Sequence, residues 1–356
     1  SLGVGEPDFA TPWHICENAI HYMSTGHTHY TANRGLLELR EEICKFHKEH
    51  YNQIYDPENE VIVTIGGSEA IDLCMRALLN PGDEVIVLDP NYVAYAPSVI
   101  LSDGVVVPLQ LKEENDFKIL PEDLKKVITP KTKAMIINYP SNPTGGVMTK
   151  EDYAKIVDII KESGIYVVSD EIYAELSFDQ PFASLAQFDE IKSQIIVVNG
   201  FSKAYAMTGL RLGYFTAPAA FVQAANLLHQ NVVLCANITA QYGAIAALKY
   251  CENDMLAMVA EYEKRRQIMI DGFKKIGLPL YEPEGAFYVF PCIKQTGLTS
   301  MEFVEKLLTE EEVLVIPGSS FGSSGEGFIR CSYAYSEDNL REALTRLDRF
   351  IRKYTK

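Results

Sequence analysis

The sequence predicts an α/β fold: a mainly parallel sheet covered by helices on both faces, followed by a smaller α+β domain. Two observations carry that expectation. From residue 61 to residue 199 short β-branched runs alternate with amphipathic helical stretches, the pattern of repeated strand–helix–strand units. The runs are also nearly continuous in apolar residues, as strands buried on both faces are, rather than alternating like a sheet with one wet face. With 356 residues the chain is large enough for two domains, or for one large domain with an appendage.

The elements follow in order. Glu60 to Ile65 reads as the first strand and Ser68 to Leu79, after a Gly-Gly turn, as the first helix of the alternating region. Glu84 to Leu88 is a strand, and a helix over Tyr92 to Asp103 is expected after a Pro-Asn turn. Gly104 to Leu109, Ala134 to Asn138, Tyr166 to Ser169 and Ile195 to Asn199 continue the strands, with a helix over Lys150 to Ser163 between. Helical spacing and many i, i+4 charge pairs then predict one long helix across residues 240–275, leading out of the sheet domain. Beyond it GAFYVFP, EVLVIPG and GFIRCSY read as strands, with helices over residues 299–310 and 336–354. There is no internal repeat and no low-complexity linker.

Composition narrows the function classes. The chain is 47% hydrophobic and 22% charged, and its formal net charge of −16 argues against nucleic acid or an anionic membrane surface as the main partner. An anionic ligand must therefore be held by local cations and backbone amides. The seven cysteines are scattered, with no C-x-x-C pair and no histidine cluster beside them, so buried free thiols in a reducing cytoplasm are expected and no metal site. No apolar stretch approaches the roughly 20 residues of a membrane span. The chain opens on SLGVGEPDF without a methionine, so a native segment is expected to precede it.

Open parallel sheets bind ligands at the carboxyl ends of their strands, and the residues just past those ends are the candidates. Lys203 follows the strand QIIVVNGF in the run Phe201-Ser202-Lys203-Ala204-Tyr205-Ala206-Met207-Thr208-Gly209-Leu210-Arg211. A lysine at a strand end is ordinarily a surface side chain. Among apolar, small and glycine neighbours it can instead lose water and act as a nucleophilic amine. Gly66-Gly67-Ser68-Glu69 follows the first strand, where a helix N-terminus offers free N–H groups to a phosphate, although Ser68 is also an ordinary N-cap. Tyr139-Pro140-Ser141-Asn142-Pro143-Thr144-Gly145 is a stiff loop that fixes Asn142 between prolines. Asp170-Glu171-Ile172-Tyr173 puts a carboxylate at a strand end with a phenol one turn away. Together these are the parts that hold pyridoxal 5′-phosphate: a lysine for the aldehyde, a carboxylate for the pyridinium nitrogen, phenol and amide for the ring oxygen, and a helix N-terminus and arginine for the phosphate.

Order and spacing carry a resemblance. With GEPDF and a following TP, PSNPTG, SDEIY, SKAYAMTG-x-R-x-G, PEGAFY and FIRCSYA, the chain resembles the class I and II aminotransferases of fold type I, in the bacterial branch of the aspartate, alanine and aromatic enzymes, from Leu2 to its last helix. The resemblance implies a seven-stranded-type sheet in a large cofactor-binding domain over residues 21–265, with a small domain built from 1–20 and 266–356. It implies Lys203 as the lysine that carries the cofactor, Asp170 as partner of the ring nitrogen, and Tyr173 and Asn142 on the ring oxygen. Tyr92 would stack on the ring, and Gly67, Ser68, Glu69 through its backbone, Arg211 and Tyr30 from a neighbouring subunit would serve the phosphate. Arg330 would pair with the substrate α-carboxylate, helped by Gly5 and Asn142, and the active unit would be a homodimer with shared sites. Relatives often carry Ser or Thr where this chain has Gly200, so Ser202 is expected to take that phosphate contact; Leu210 replaces a common Trp as a packing change.

The implied activity is ping-pong transfer of an amino group to a 2-oxo acid, with glutamate and 2-oxoglutarate as the default pair. A C–S lyase of the same fold is the alternative within the chemistry, and a non-catalytic regulatory ligand-binding domain the alternative outside it. The MTG run and the GEPDF start favour transfer over elimination. No motif reports which side chain is preferred.

Overall fold

The computed structural model describes residues 1–355. The apolar runs form one sheet of seven strands: β1 (Val61–Thr64), β2 (Glu84–Asp89), β3 (Val105–Gln110), β4 (Thr132–Asn138), β5 (Tyr166–Asp170), β6 (Ile195–Gly200) and β7 (Gly213–Thr216). Their order across the sheet is β1-β7-β6-β5-β4-β2-β3. The pairs β2–β3, β2–β4, β4–β5 and β5–β6 are parallel. Only β7 runs antiparallel to its neighbours β6 and β1. A second, antiparallel sheet is made of β8 (Tyr288–Val289), β9 (Ile316–Pro317) and β10 (Ile329–Ser332), ordered β8-β10-β9. These strands are shorter than the apolar runs that predict them.

Helices α1 (Trp13–Ser24) and α2 (Leu37–Tyr51) precede the sheet, and α3 (Gly66–Leu78), α4 (Tyr95–Ile100), α5 (Pro121–Val127) and α6 (Lys150–Ser163) connect its parallel strands. They are followed by α7 (Ala219–Val232), α8 (Ile238–Tyr250), α9 (Glu252–Ile276), α10 (Ser300–Glu311) and α11 (Glu337–Tyr354). Alternation along the strands feeds two apolar layers. On one face Met135 and Ile137 of β4 pack with Leu124 of α5 and Ile156 and Ile160 of α6. On the other, Ala134 and Ile136 pack with Ala70 and Met75 of α3, Val99 of α4 and Val222 of α7. Each fully buried aliphatic side chain contributes on the order of 1.5–3 kcal/mol, so both faces of β4 and β6 must be covered, and the near-continuous apolar character of these strands follows. A third cluster joins Leu2 to α9, α10, α11 and the second sheet.

Three expectations need correction. The predicted helix over residues 240–275 is two helices that break at the buried Cys251, the C-cap of α8 and N-cap of α9, with φ −110° and ψ 22°. The two halves answer to different partners. Small residues of α8 let it lie on α1, where a Cβ on Gly243 would stand 3.2 Å from Ile15, while α9 packs on α11. The helix expected over Tyr92 to Asp103 is only α4, because residues 92–94 form an open turn that feeds side chains into the cavity described below. Finally, α3 starts at Gly66 with Ile65 as its N-cap, so Ser68 lies in the first turn and is not the cap. The helix start has no side-chain cap, and the Glu69 carboxylate accepts the Ile65 N–H.

Candidate active site

The carboxyl ends of β4, β5 and β6 open into a cavity of about 540 Å³, closed on the far side by residues 4–6 and by the second sheet. Of the residues singled out in the sequence, Gly5, Gly67, Ser68, Tyr92, Asn142, Asp170, Tyr173, Ser202, Lys203, Arg211 and Arg330 all stand around it. Glu69 and Tyr30 do not. The Glu69 side chain is held by His229, whose Nδ1 lies 2.7 Å from Oε1, and Tyr30 is 82% exposed on the loop between α1 and α2.

Lys203 is half-buried, and its Nζ donates to the Gly5 carbonyl at 2.7 Å. Burial lowers its ammonium to about 8; Arg330 and Arg211 push the same way, against Glu6 and Asp170. Asp170, at the end of β5, is 7% exposed. It accepts from the Tyr95 hydroxyl at 2.7 Å and from the Ile172 N–H at 3.1 Å. Burial raises its carboxyl to about 6, opposed by those two hydrogen bonds and by the charge of Lys203. The strand end itself is fixed by Asn138, whose Nδ2 donates to the Asp170 carbonyl and whose Oδ1 accepts the Asn142 N–H, both at 2.9 Å.

Arg330 on β10 is 7% exposed. Its Nη1 donates to Asn142 Oδ1 at 2.9 Å and its Nη2 to the Gly3 carbonyl. Two rings flank it, Tyr288 with its centroid 4.5 Å from Cζ and Phe321 at 4.9 Å. Its Nε is buried with no hydrogen-bond partner among the described residues. A buried guanidinium N–H left unpaired costs free energy.

Tyr173 and Tyr288 join their hydroxyls at 2.8 Å, and burial holds both phenols above their ordinary range. Gly5 is required by this pair: a Cβ there would lie 2.0 Å from the Tyr288 hydroxyl. Gly66 has the same meaning on the other side, because with φ +72° and no Cβ it lets the Arg211 guanidinium lie against the start of α3. Gly200 is explained as well, since a Cβ would come within 3.0 Å of Gly213 Cα and the Leu212 carbonyl, where β6 and β7 meet. Ser202 is buried beside Lys203 at the cavity wall.

Among the cavity residues to which the motif reading gives no role are Glu6, Tyr95, Asn138, Thr208, Tyr288 and Phe321. Tyr95 reads as an ordinary core aromatic, and only its position three residues after Tyr92 on the same segment points inward. Glu6 and Thr208 sit inside quoted motifs, and the Thr208 hydroxyl donates to the Glu6 carboxylate.

Residues 1–347 match the family aminotransferase class I and II. The chain is 43% identical to the aspartate aminotransferase of Pyrococcus abyssi, covering 99% of itself and 92% of that relative. It is 41% identical to aromatic-amino-acid aminotransferase 2 of Thermococcus litoralis with the same coverage. Its fold superposes on the crystal structure of the aromatic aminotransferase from Pyrococcus horikoshii with a TM-score of 0.97 at 42% identity, over 99% of this chain and 95% of that one. Class I and II aminotransferases use pyridoxal phosphate and act on amino acids and oxo acids. Among the described residues no helix is long and apolar enough to cross a membrane. A family match that runs almost from end to end, on a chain whose strand ends converge on a half-buried lysine, makes this protein a member of the class I and II aminotransferases, a transferase of nitrogenous groups.

Proposed function

We propose that this cavity binds pyridoxal 5′-phosphate and moves the α-amino group of an amino acid to a 2-oxo acid, with 2-oxoglutarate as acceptor and ping-pong kinetics. The observation that carries the reading is Lys203: a half-buried amine lowered to about 8, in one cavity with the Asp170 carboxylate and the Arg330 guanidinium. The donor set fits the cofactor. Lys203 holds the aldehyde, Asp170 the ring nitrogen, Tyr173 and Asn142 the ring oxygen, and Tyr92 the ring face. Gly67, Ser68, the Glu69 backbone, Ser202 and Arg211 hold the phosphate, with Tyr30 of a partner subunit completing it.

When bound, the cofactor supplies an electron sink for charge that develops at the substrate Cα. Asp170 keeps the ring nitrogen protonated through its negative charge. Arg330, with Asn142 on its Nη1, takes the α-carboxylate and fixes the substrate in the cavity. Lys203, whose ammonium is lowered to about 8 so that the free amine becomes available near that pH, removes the Cα proton as general base. Tyr288 ties these parts together, because its hydroxyl meets Tyr173 and its ring lies on Arg330. We assign residues 21–265 to a large domain and 1–20 with 266–356 to a small one, the boundary falling inside α9, and place the enzyme in the cytoplasm as a homodimer.

Borohydride reduction of the holoenzyme fixes the cofactor on Lys203 alone, and Lys203→Ala, still folded by circular dichroism, loses amino transfer. Label found on another lysine refutes the assignment.

A further inference from the structure

Asp89 ends β2 close to the cavity without standing around it, and its carboxylate is only 5% exposed. Both oxygens are taken by one segment that precedes β10. Oδ2 accepts the Ser323 hydroxyl at 2.7 Å, and Oδ1 accepts the Ser324 N–H at 3.1 Å. Gly322 is wrapped against the same carboxylate: its φ is +129°, and a Cβ there would lie 2.1 Å from Oδ1. Two residues beyond Asp89, the Asn91 N–H donates to the Phe321 carbonyl at 2.8 Å. The β2–α4 turn therefore grips residues 321–324 at three successive points.

The gripped segment matters because of what it carries. Phe321 is 3% exposed, stands at the cavity, and lies 4.9 Å from the Arg330 guanidinium carbon. The guanidinium is tied through Nη1 and Nη2 and packed between the Tyr288 and Phe321 rings, so a shift of Phe321 tilts the plane that must meet the ligand. The same turn continues directly into Tyr92 at the cavity wall. A carboxylate suits the clasp better than any other side chain. It offers two acceptors to two donors, whereas Asn offers one acceptor and turns an N–H₂ towards the second donor.

We propose that Asp89 is a positioning residue for substrate binding: by clasping Ser323 and Ser324 it holds Phe321 against Arg330 and so sets the aim of the guanidinium at the substrate carboxylate. This rests on the reading of Arg330 as the α-carboxylate site. No atom of the clasp touches Lys203 or Asp170, so its loss is felt in KM more than in kcat, and the cofactor dissociation constant reads any shift passed on to Tyr92.

The test is steady-state kinetics of Asp89→Ala, Asp89→Asn, Phe321→Ala and the Asp89→Ala/Phe321→Ala double variant, with glutamate and 2-oxoglutarate and with the cofactor dissociation constant measured alongside. Asp89→Ala raises KM for both the amino acid and the oxo acid by about tenfold, with kcat within about threefold of wild type and cofactor affinity unchanged. Asp89→Asn falls between. In the Phe321→Ala background Asp89→Ala adds no further rise, since the two act through one contact. KM within twofold of wild type, a parallel fall in kcat and cofactor affinity, or additive effects in the double variant each overturn the proposal. Should Asp89→Ala fail to fold, Ser323→Ala removes one donor only and raises KM about threefold; an unmoved KM there overturns the proposal equally. If wild-type protein transfers no amino group from any amino acid, the reading of the site itself fails. Intact wild-type transfer with an unmoved variant KM refutes only the role of Asp89.

Discussion

The Tyr95 hydroxyl donates to the Asp170 carboxylate across 2.7 Å of buried space. Burial drives that carboxyl up to about 6, and the phenol is the largest force holding it down. On the proposed reading, in which an ionised Asp170 keeps the ring nitrogen of the cofactor protonated, Tyr95 would set how much of the enzyme is competent at the lower end of the pH range.

Tyr95→Phe removes one hydrogen bond to the charged form, worth on the order of 1 kcal/mol, or roughly 0.7 of a pKa unit. The Asp170 carboxyl then rises further above 6 and its ionised fraction falls on the acid side. The acid limb of the kcat/KM profile should move upward by about half a unit to one unit, with activity above pH 8 nearly preserved. An acid limb that stays in place refutes the role of Tyr95.

The contrast between Tyr95 and Asp170 shows what could be read in the chain beforehand. Asp170, Lys203 and Asn142 are polar residues following long apolar runs, so the strand pattern alone brings them to one end of the sheet. Tyr95 is an aromatic on an amphipathic stretch, and nothing in its neighbours separates a core ring from one that turns its hydroxyl to a carboxylate. The same limit applies to Asp89 and Ser323, 234 residues apart, because a clasp between distant segments leaves no periodic trace. The break at Cys251 was hidden for a related reason. Helical spacing continues across it, and only the different partners of α8 and α9 force the bend. Gly5, Gly66 and Gly200 became intelligible only with the Tyr288, Arg211 and Gly213 contacts in view.

Glu171 follows Asp170 but faces away from the chemistry. Ser169 and Ser184 donate to its Oε1, while Oε2 is buried with no partner among the described residues. Burial raises this carboxyl from 4.5 to about 8, against those two hydrogen bonds. The folded protein therefore holds a proton that the unfolded chain releases, and this contribution to stability is complete below about pH 4.5 and lost as pH rises through about 8. Glu171→Gln keeps the acceptor and cannot ionise. Its melting temperature should exceed that of wild type by about 2 °C or more at pH 8.5, with the gap closing towards pH 5.5. Glu175, raised in the same direction, is present in both proteins and cancels in the comparison. A gap that is absent at pH 8.5, or that does not change with pH, contradicts the protonated state.

Tyr30 gives the most direct access to the proposed dimer. Its ring is 82% exposed, yet the loop beneath it is anchored: buried His229 sets Nε2 2.9 Å from the Asn33 carbonyl and Nδ1 on Glu69 at the start of α3. An exposed aromatic on an anchored loop fits a side chain that acts on another molecule, and a closed two-fold interface would send each Tyr30 to the phosphate end of its partner's cavity. Tyr30→Ala and Lys203→Ala are each expected to be inactive at limiting cofactor. In a hybrid of the two, one site combines the intact lysine of the first subunit with the intact tyrosine of the second, and the other site carries both lesions. Equal mixing after dissociation gives about half hybrids with one working site each, so roughly a quarter of wild-type activity should return. Hybrid formation is checked by native mass spectrometry. If hybrids form and no activity returns, Tyr30 serves its own subunit and the shared-site arrangement is wrong.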